Sequence, residues 1–126
     1  MKFESYLKKA KILLEEARKD LINGCYNKAV SASWFAVENL LRALLLRGGK
    51  IPPERPNKLI SIIHKMLYEK YPNKRYLIPE ISSLYEKRKR ADHRDTFFNH
   101  SQADRAFSQA IEIFKGIEEI LFSRDH

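Results

Sequence analysis

Apolar residues recur at helical spacing along almost the whole chain. Phe3, Tyr6, Leu7, Ala10, Leu13, Leu14, Ala17 and Leu21 keep one helical period. They predict a first helix from about Phe3 to Ile22, stopped by Asn23-Gly24, where glycine tolerates a left-handed cap. A second helix is expected from about Asn27 to Arg47. Ala29, Val30, Ser33, Val37, Leu40, Leu41 and Leu44 form its broad stripe, and Phe35 and Leu46 lie on another side. A helix apolar on two sides is either central or covered by another subunit. Gly48-Gly49 ends it, and a loop with three prolines, Lys50 to Pro56, follows. Pro56 suits the first turn of a third helix faced by Leu59, Ile62, Ile63, Met66 and Leu67 and closed by Tyr71-Pro72-Asn73.

A fourth helix is expected over roughly Arg75 to Ala91, with Pro79 near its start, where proline is tolerated. Asp92 to Asn99 reads as a polar loop with Phe97 and Phe98 tucked in. Ser101, with Asp104 three residues on, reads as the box-like start of a fifth helix. Its stripe is Ala103, Ala106, Phe107, Ala110, Ile111, Phe114, Ile117 and Leu121. No repeat and no strand signal interrupts this pattern. The expectation is an all-α, up-and-down four-helix bundle with an additional short helix, forming one domain over residues 1–126.

Composition narrows the function classes. The apolar fraction of 44% and charged fraction of 32% are those of a globular chain. The longest greasy stretch, Leu40 to Leu46, is interrupted by Arg42, and the N-terminus lacks a signal-peptide core, so no membrane span and a cytoplasmic location are expected. Cys25 is the one cysteine, which leaves no internal disulfide framework, and it reads as an incidental thiol at a turn. His64, His93, His100 and His126 lack ligand-like spacing, so neither a metal nor another cofactor is expected. A net charge of +8 favours polyanionic partners, although a lysine-rich surface serves solubility equally well.

The charge concentrates in one place. Lys87, Arg88, Lys89, Arg90 and Arg94 stand against Asp92. Arg88 falls on the line of Ile81 and Leu84, where a bundle helix carries Leu or Ala. An arginine there needs a partner or a wet site. Five residues on stands His93, a side-chain type that titrates near neutrality. An imidazole can move the proton of a ribose 2′-hydroxyl, and a guanidinium can grip the phosphate in a bidentate fashion. Arg88 and His93 are therefore candidate catalytic residues, and Arg88, Lys89, Arg90, Asp92 and Arg94 candidate binding residues. Spacing alone is uninformative: ten arginines and four histidines give roughly one Arg-x(4–6)-His match by chance. Five helical steps also rotate His93 about 140° away from Arg88. Both reach one ligand if the helix ends near Asp92, or if a second copy of the chain supplies the partner residue. The blander readings are a structural Arg88 paired to a carboxylate and an exposed helix-end His93. His64 reads as the polar side of the third helix, His100 as local structure, and Trp34 and Tyr85 as core or interface.

The small-residue and aliphatic helix from Tyr26 to Leu46, the Gly48-Gly49 break, the proline loop, Leu84 to His93 and the alanine-spaced last helix occur in an order that resembles a HEPN domain (higher eukaryotes and prokaryotes nucleotide-binding). The resemblance covers nearly the whole chain. It implies an all-α homodimer and, in nuclease members, an Arg-x(4–6)-His pair lining a cleft that cuts RNA without metal, here Arg88 and His93. It also implies a nucleotidyltransferase partner, in toxin–antitoxin-like pairs. Two positions depart from the pattern. Many single-domain relatives carry tyrosine where His93 stands, and relatives modified by a nucleotidyltransferase carry tyrosine where Asp95 stands. An endoribonuclease and a non-catalytic nucleotide-binding or nucleotidyltransferase-docking module both fit this reading. A helical adaptor without a ligand is a third.

Overall fold

The helical period is realised almost residue for residue. The computed structural model describes residues 2–93 and 95–123. Its helices are α1 (Phe3–Ile22), α2 (Tyr26–Arg47), α3 (Pro56–Lys70), α4 (Leu77–Ala91) and α5 (His100–Leu121), with a 3₁₀ turn at Pro72–Lys74 between α3 and α4. No strand occurs among the described residues. α1 and α2 form an antiparallel hairpin across Gly24, whose φ of +78° is one that side-chain-bearing residues resist.

α2 is the axis of the bundle and packs against α1, α3, α4 and α5. Trp34, Val37, Leu40, Leu41 and Leu45 are fully buried along it, and the Trp34 ring meets Tyr85 of α4 at 5.0 Å. This central position explains its two-sided apolarity without a second subunit. α2 is in fact long and apolar enough to cross a membrane by length and composition, contrary to the expectation from Arg42. Its most apolar window is 67% buried against the other helices, the usual state of a core helix.

Several local expectations change. α5 begins two residues earlier than the Ser101–Asp104 reading places it. Asn99 is extended (φ −92°, ψ 176°), and its side chain accepts from the Gln102 amide at 2.8 Å. The Gln102 side chain accepts from the Asn99 amide at 2.9 Å, completing a capping box that Asn-x-x-Gln satisfies as well as Ser-x-x-Asp. Phe97 is not tucked in: it is 83% exposed, while Phe98 packs on the core. α4 starts at Leu77, after the 3₁₀ turn whose Lys74 ammonium is buried against the Glu119 carboxylate of α5.

α4 and α5 approach closely at Gly116. A Cβ there would lie 2.6 Å from Leu77 Cδ1, which is fully buried and has little room to yield. Gly116→Ala is therefore expected to lower stability by roughly 1 kcal/mol net, overpacking outweighing the gain in helix propensity. A raised urea midpoint for the variant would contradict this packing.

Candidate functional site

α4 ends at Ala91, and Asp92 is its C-terminal cap. The rotation expected to separate Arg88 from His93 therefore stops before His93. The chain turns there: the His93 amide donates to Arg90 O at 3.1 Å, and the Thr96 amide donates to His93 O at 3.3 Å. The His93 side chain is exposed.

This turn is held by a residue that sequence reasoning missed. Asn27, in the first turn of α2, donates from Nδ2 to Ala91 O at 3.0 Å and to Thr96 O at 2.8 Å. Its Oδ1 accepts from the Phe98 amide at 2.9 Å. One carboxamide thus serves three backbone groups across the end of α4 and the loop to α5. Nothing local marks Asn27, because its partners are 64 to 71 residues away.

The basic cluster of α4 does not converge on one point. Arg88 turns toward α2. Its guanidinium lies 5.0 Å from the centre of the Phe35 ring, and its Nε is 3.2 Å from Asp92 Oδ2. That ion pair lacks hydrogen-bond geometry, so the buried Nε–H has no acceptor even though 29% of the side chain is exposed. Ser31 of α2 donates to the other oxygen of Asp92 at 3.3 Å. The Asp92 carboxylate is therefore held between two helices, with Arg88 against it.

A second carboxylate stands behind this group. Glu38 of α2 pairs with Arg42 at 3.6 Å, both side chains being largely covered. Burial pushes the Glu38 carboxyl above the usual carboxylate range, while the charges of Arg42 and then Arg88 act in the opposite direction. Its i,i+4 spacing to Arg42 is legible in the sequence, but its proximity to Arg88 is not. Arg42 also ties α2 to the proline loop through Pro53 O and, at 2.9 Å, Glu54 O.

The other basic residues point elsewhere. Lys89 pairs with Glu86 at 2.8 Å and lies over the Tyr85 ring, so it belongs to the surface of its own helix. Arg90 is exposed and lies with Lys87 on the side of α4 that faces α5. Arg94 lies outside the described residues. Among the described residues, no group of three His, Cys, Asp or Glu side chains is placed to hold a metal ion.

His64 is not merely on the polar side of α3. It is half-buried toward α4, with Nε2 at 3.4 Å from Ser82 Oγ. Burial pulls its imidazole below the ordinary value of 6.5, and a backbone hydrogen bond at Ile78 acts the other way. The unfolded chain thus takes up this proton first as the pH falls. His64 contributes stability that is fully present above about 6.5 and is lost as the pH drops through the folded-state value. Urea midpoints at mildly acidic and mildly alkaline pH are expected to fall further apart for the wild type than for His64→Gln. Equal separations would remove His64 from the acid response. His100, the first residue of α5, meets the Tyr26 ring of α2 edge-on at 5.7 Å, so it makes a tertiary contact and is not only local structure. Cys25 is exposed and unpaired in its turn.

A family model described as the HEPN domain matches residues 3–120 of the chain. TT1696 from Thermus thermophilus is similar in structure, with a TM-score of 0.72 and 20% identity over 93% of this chain and 96% of that one. ST0689, described as an archaeal HEPN homologue, gives a TM-score of 0.74 and 20% identity, covering 96% of this chain and 98% of its own. At such identity the likeness is one of fold. No curated protein matches the chain.

Proposed function

The chain belongs to the HEPN domain family, and from the end of α4 we propose that it is a homodimeric, metal-independent endoribonuclease working as a single domain over residues 1–126. One observation carries this reading. The helix stops between Arg88 and His93, and Arg88 keeps a buried Nε–H that its carboxylate neighbour does not satisfy. Under the proposal, the Arg88 guanidinium grips the scissile phosphate and stabilises the charge that gathers on it. The His93 imidazole takes the proton of the ribose 2′-hydroxyl as O2′ attacks phosphorus. The bond from phosphorus to O5′ breaks, and a protonated imidazole, supplied by the second copy of the chain, returns a proton to the leaving oxygen. The products are a 2′,3′-cyclic phosphate and a 5′-hydroxyl. Asp92 holds Arg88 in place until phosphate competes for it.

A specific observation favours a second reading. Asp92 already stands 3.2 Å from Arg88 Nε, and Ser31 donates to Asp92 in turn. An arginine so engaged suits a module that binds a nucleotide or docks a nucleotidyltransferase, in a toxin–antitoxin-like pair, without doing chemistry. Incubating a labelled structured RNA with the protein in EDTA separates the two. Cyclic-phosphate ends produced by the wild type and lost with His93→Ala support the nuclease. An intact RNA in the presence of well-folded dimer leaves the binding module.

A further inference from the structure

On the side of α4 away from Arg88, a cleft of about 250 Å³ runs between α4 and α5. Three cations line it: Lys87 and Arg90 one helical turn apart on α4, and Arg105 on α5. The ammonium of the half-buried Lys87 is pulled below its ordinary range by burial first and then by the charge of Arg105, with Arg90 adding to this and Glu80 acting the other way. Lys87 is anchored by Gln109 Oε1 at 2.6 Å, and Gln109 in turn donates to Glu80 at 2.9 Å. Arg90 and Arg105 have no ion pair or hydrogen-bonded side-chain partner among the described residues. Gathering like charges in a cleft costs stability, and Glu80, beyond Gln109, is the carboxylate that partly offsets it at Lys87.

Beside these cations, on the same cleft wall, lies Phe97, the most exposed aromatic ring among the described residues at 83%. The backbone on either side of it is anchored, Thr96 O by Asn27 Nδ2 at 2.8 Å. Phe98, next in sequence, is fixed to Asn27 through its amide and packs on the core, and Asn99 caps α5. A solvent-facing ring on an anchored backbone, next to guanidinium groups without a side-chain partner, has the chemistry of a surface that stacks a base and holds its phosphates.

We propose that this cleft is a second binding site, which takes a single-stranded RNA segment with one base on the Phe97 ring and the flanking phosphates against Arg90, Arg105 and Lys87. It rests on the reading that the chain handles RNA, and it adds a strand-holding surface across α4 from the Arg88 side. Stacking accepts any base, so the site holds the strand without reading its sequence.

The test uses a fluorescein-labelled oligouridine of about 12 nucleotides, within the range of such single-strand sites, with 2′-O-methyl groups. It binds but offers no 2′-hydroxyl for cleavage. Fluorescence anisotropy is followed across a salt series. Phe97→Ala is expected to weaken binding about tenfold, the size of one lost stack, and Phe97→Trp to restore it. Arg90→Ala with Arg105→Ala is expected to weaken binding further and to flatten the salt dependence by a slope of about 1.4, the share of two phosphate contacts on a single strand. All of these side chains lie at the surface or cleft, and thermal melting checks that the variants fold. Unchanged affinity and salt slope in both variants would overturn the site, as would a wild type that does not bind the strand. Cutting of unmodified RNA, followed separately in EDTA, reports on the Arg88 and His93 proposal whichever way the binding result falls.

Discussion

His93→Ala is expected to lower the rate of metal-independent RNA cleavage by about 10²- to 10⁴-fold, the range for loss of a positioned proton-transfer group. Arg88→Ala is expected to cost about 10²- to 10³-fold, because a donor aimed at the developing phosphate charge is lost. Arg88→Lys tells the two arginine functions apart. Lysine keeps the charge but not the planar fork, so a bidentate grip predicts little rescue, and a point-charge role predicts substantial rescue. Asp92→Asn frees the guanidinium from its carboxylate and is expected to tighten phosphate binding. The measurement is single-turnover cleavage of a labelled RNA in EDTA, with end-group analysis of the products. Full activity in His93→Ala would remove the imidazole from the chemistry. Equal activity in the wild type and every variant would assign the cutting to a contaminant.

Asn27→Ala should produce the largest loss of stability among these variants, about 3 kcal/mol, at about 1 kcal/mol for each of three net hydrogen bonds. The bonds to Ala91 O, Thr96 O and the Phe98 amide are all part-buried, so water cannot replace them freely. Asn27→Asp keeps an acceptor for Phe98 and loses both donations, setting a carboxylate against two carbonyl oxygens. It is expected to be at least as damaging as alanine. Chemical denaturation measures the loss. Because Asn27 holds both the turn carrying His93 and the loop carrying Phe97, the variant should also weaken RNA binding in the strand assay. A loss below about 0.5 kcal/mol would mean that the loop holds itself without Asn27.

Much of the architecture is legible in the sequence because helical periodicity is local. The pattern bounds Phe3–Ile22 to the residue, and Arg47, Pro56 and Ala91 close or open helices where their spacing predicts. Arg88 does share the α4 line of Ile81 and Leu84. Its surroundings are not legible: Phe35 and Ser31 belong to α2, and no spacing rule connects them to residue 88. The start of α5 is ambiguous in sequence because Ser101 and Asp104 offer the same capping pattern as Asn99 and Gln102, and only backbone geometry chooses between them. Phe97 and Phe98 look alike as adjacent aromatic residues in a loop. The Asn27 bond to the Phe98 amide orients that residue to the core and its neighbour to solvent.

An all-helical chain, the ends of most of its helices, the strong positive charge and the concentration of that charge near the end of α4 all follow from the order of the residues. Each depends on positions within a turn or two of one another, or on composition alone. How that charge is divided depends on packing. With α4 between α2 and α5, Arg88 goes to Asp92 and Phe35, while Lys87 and Arg90 go to the side of Arg105. Neighbouring positions on a helix point about 100° apart, so one basic run in sequence is split between the two flanked sides of α4 and its open face, where Lys89 pairs with Glu86.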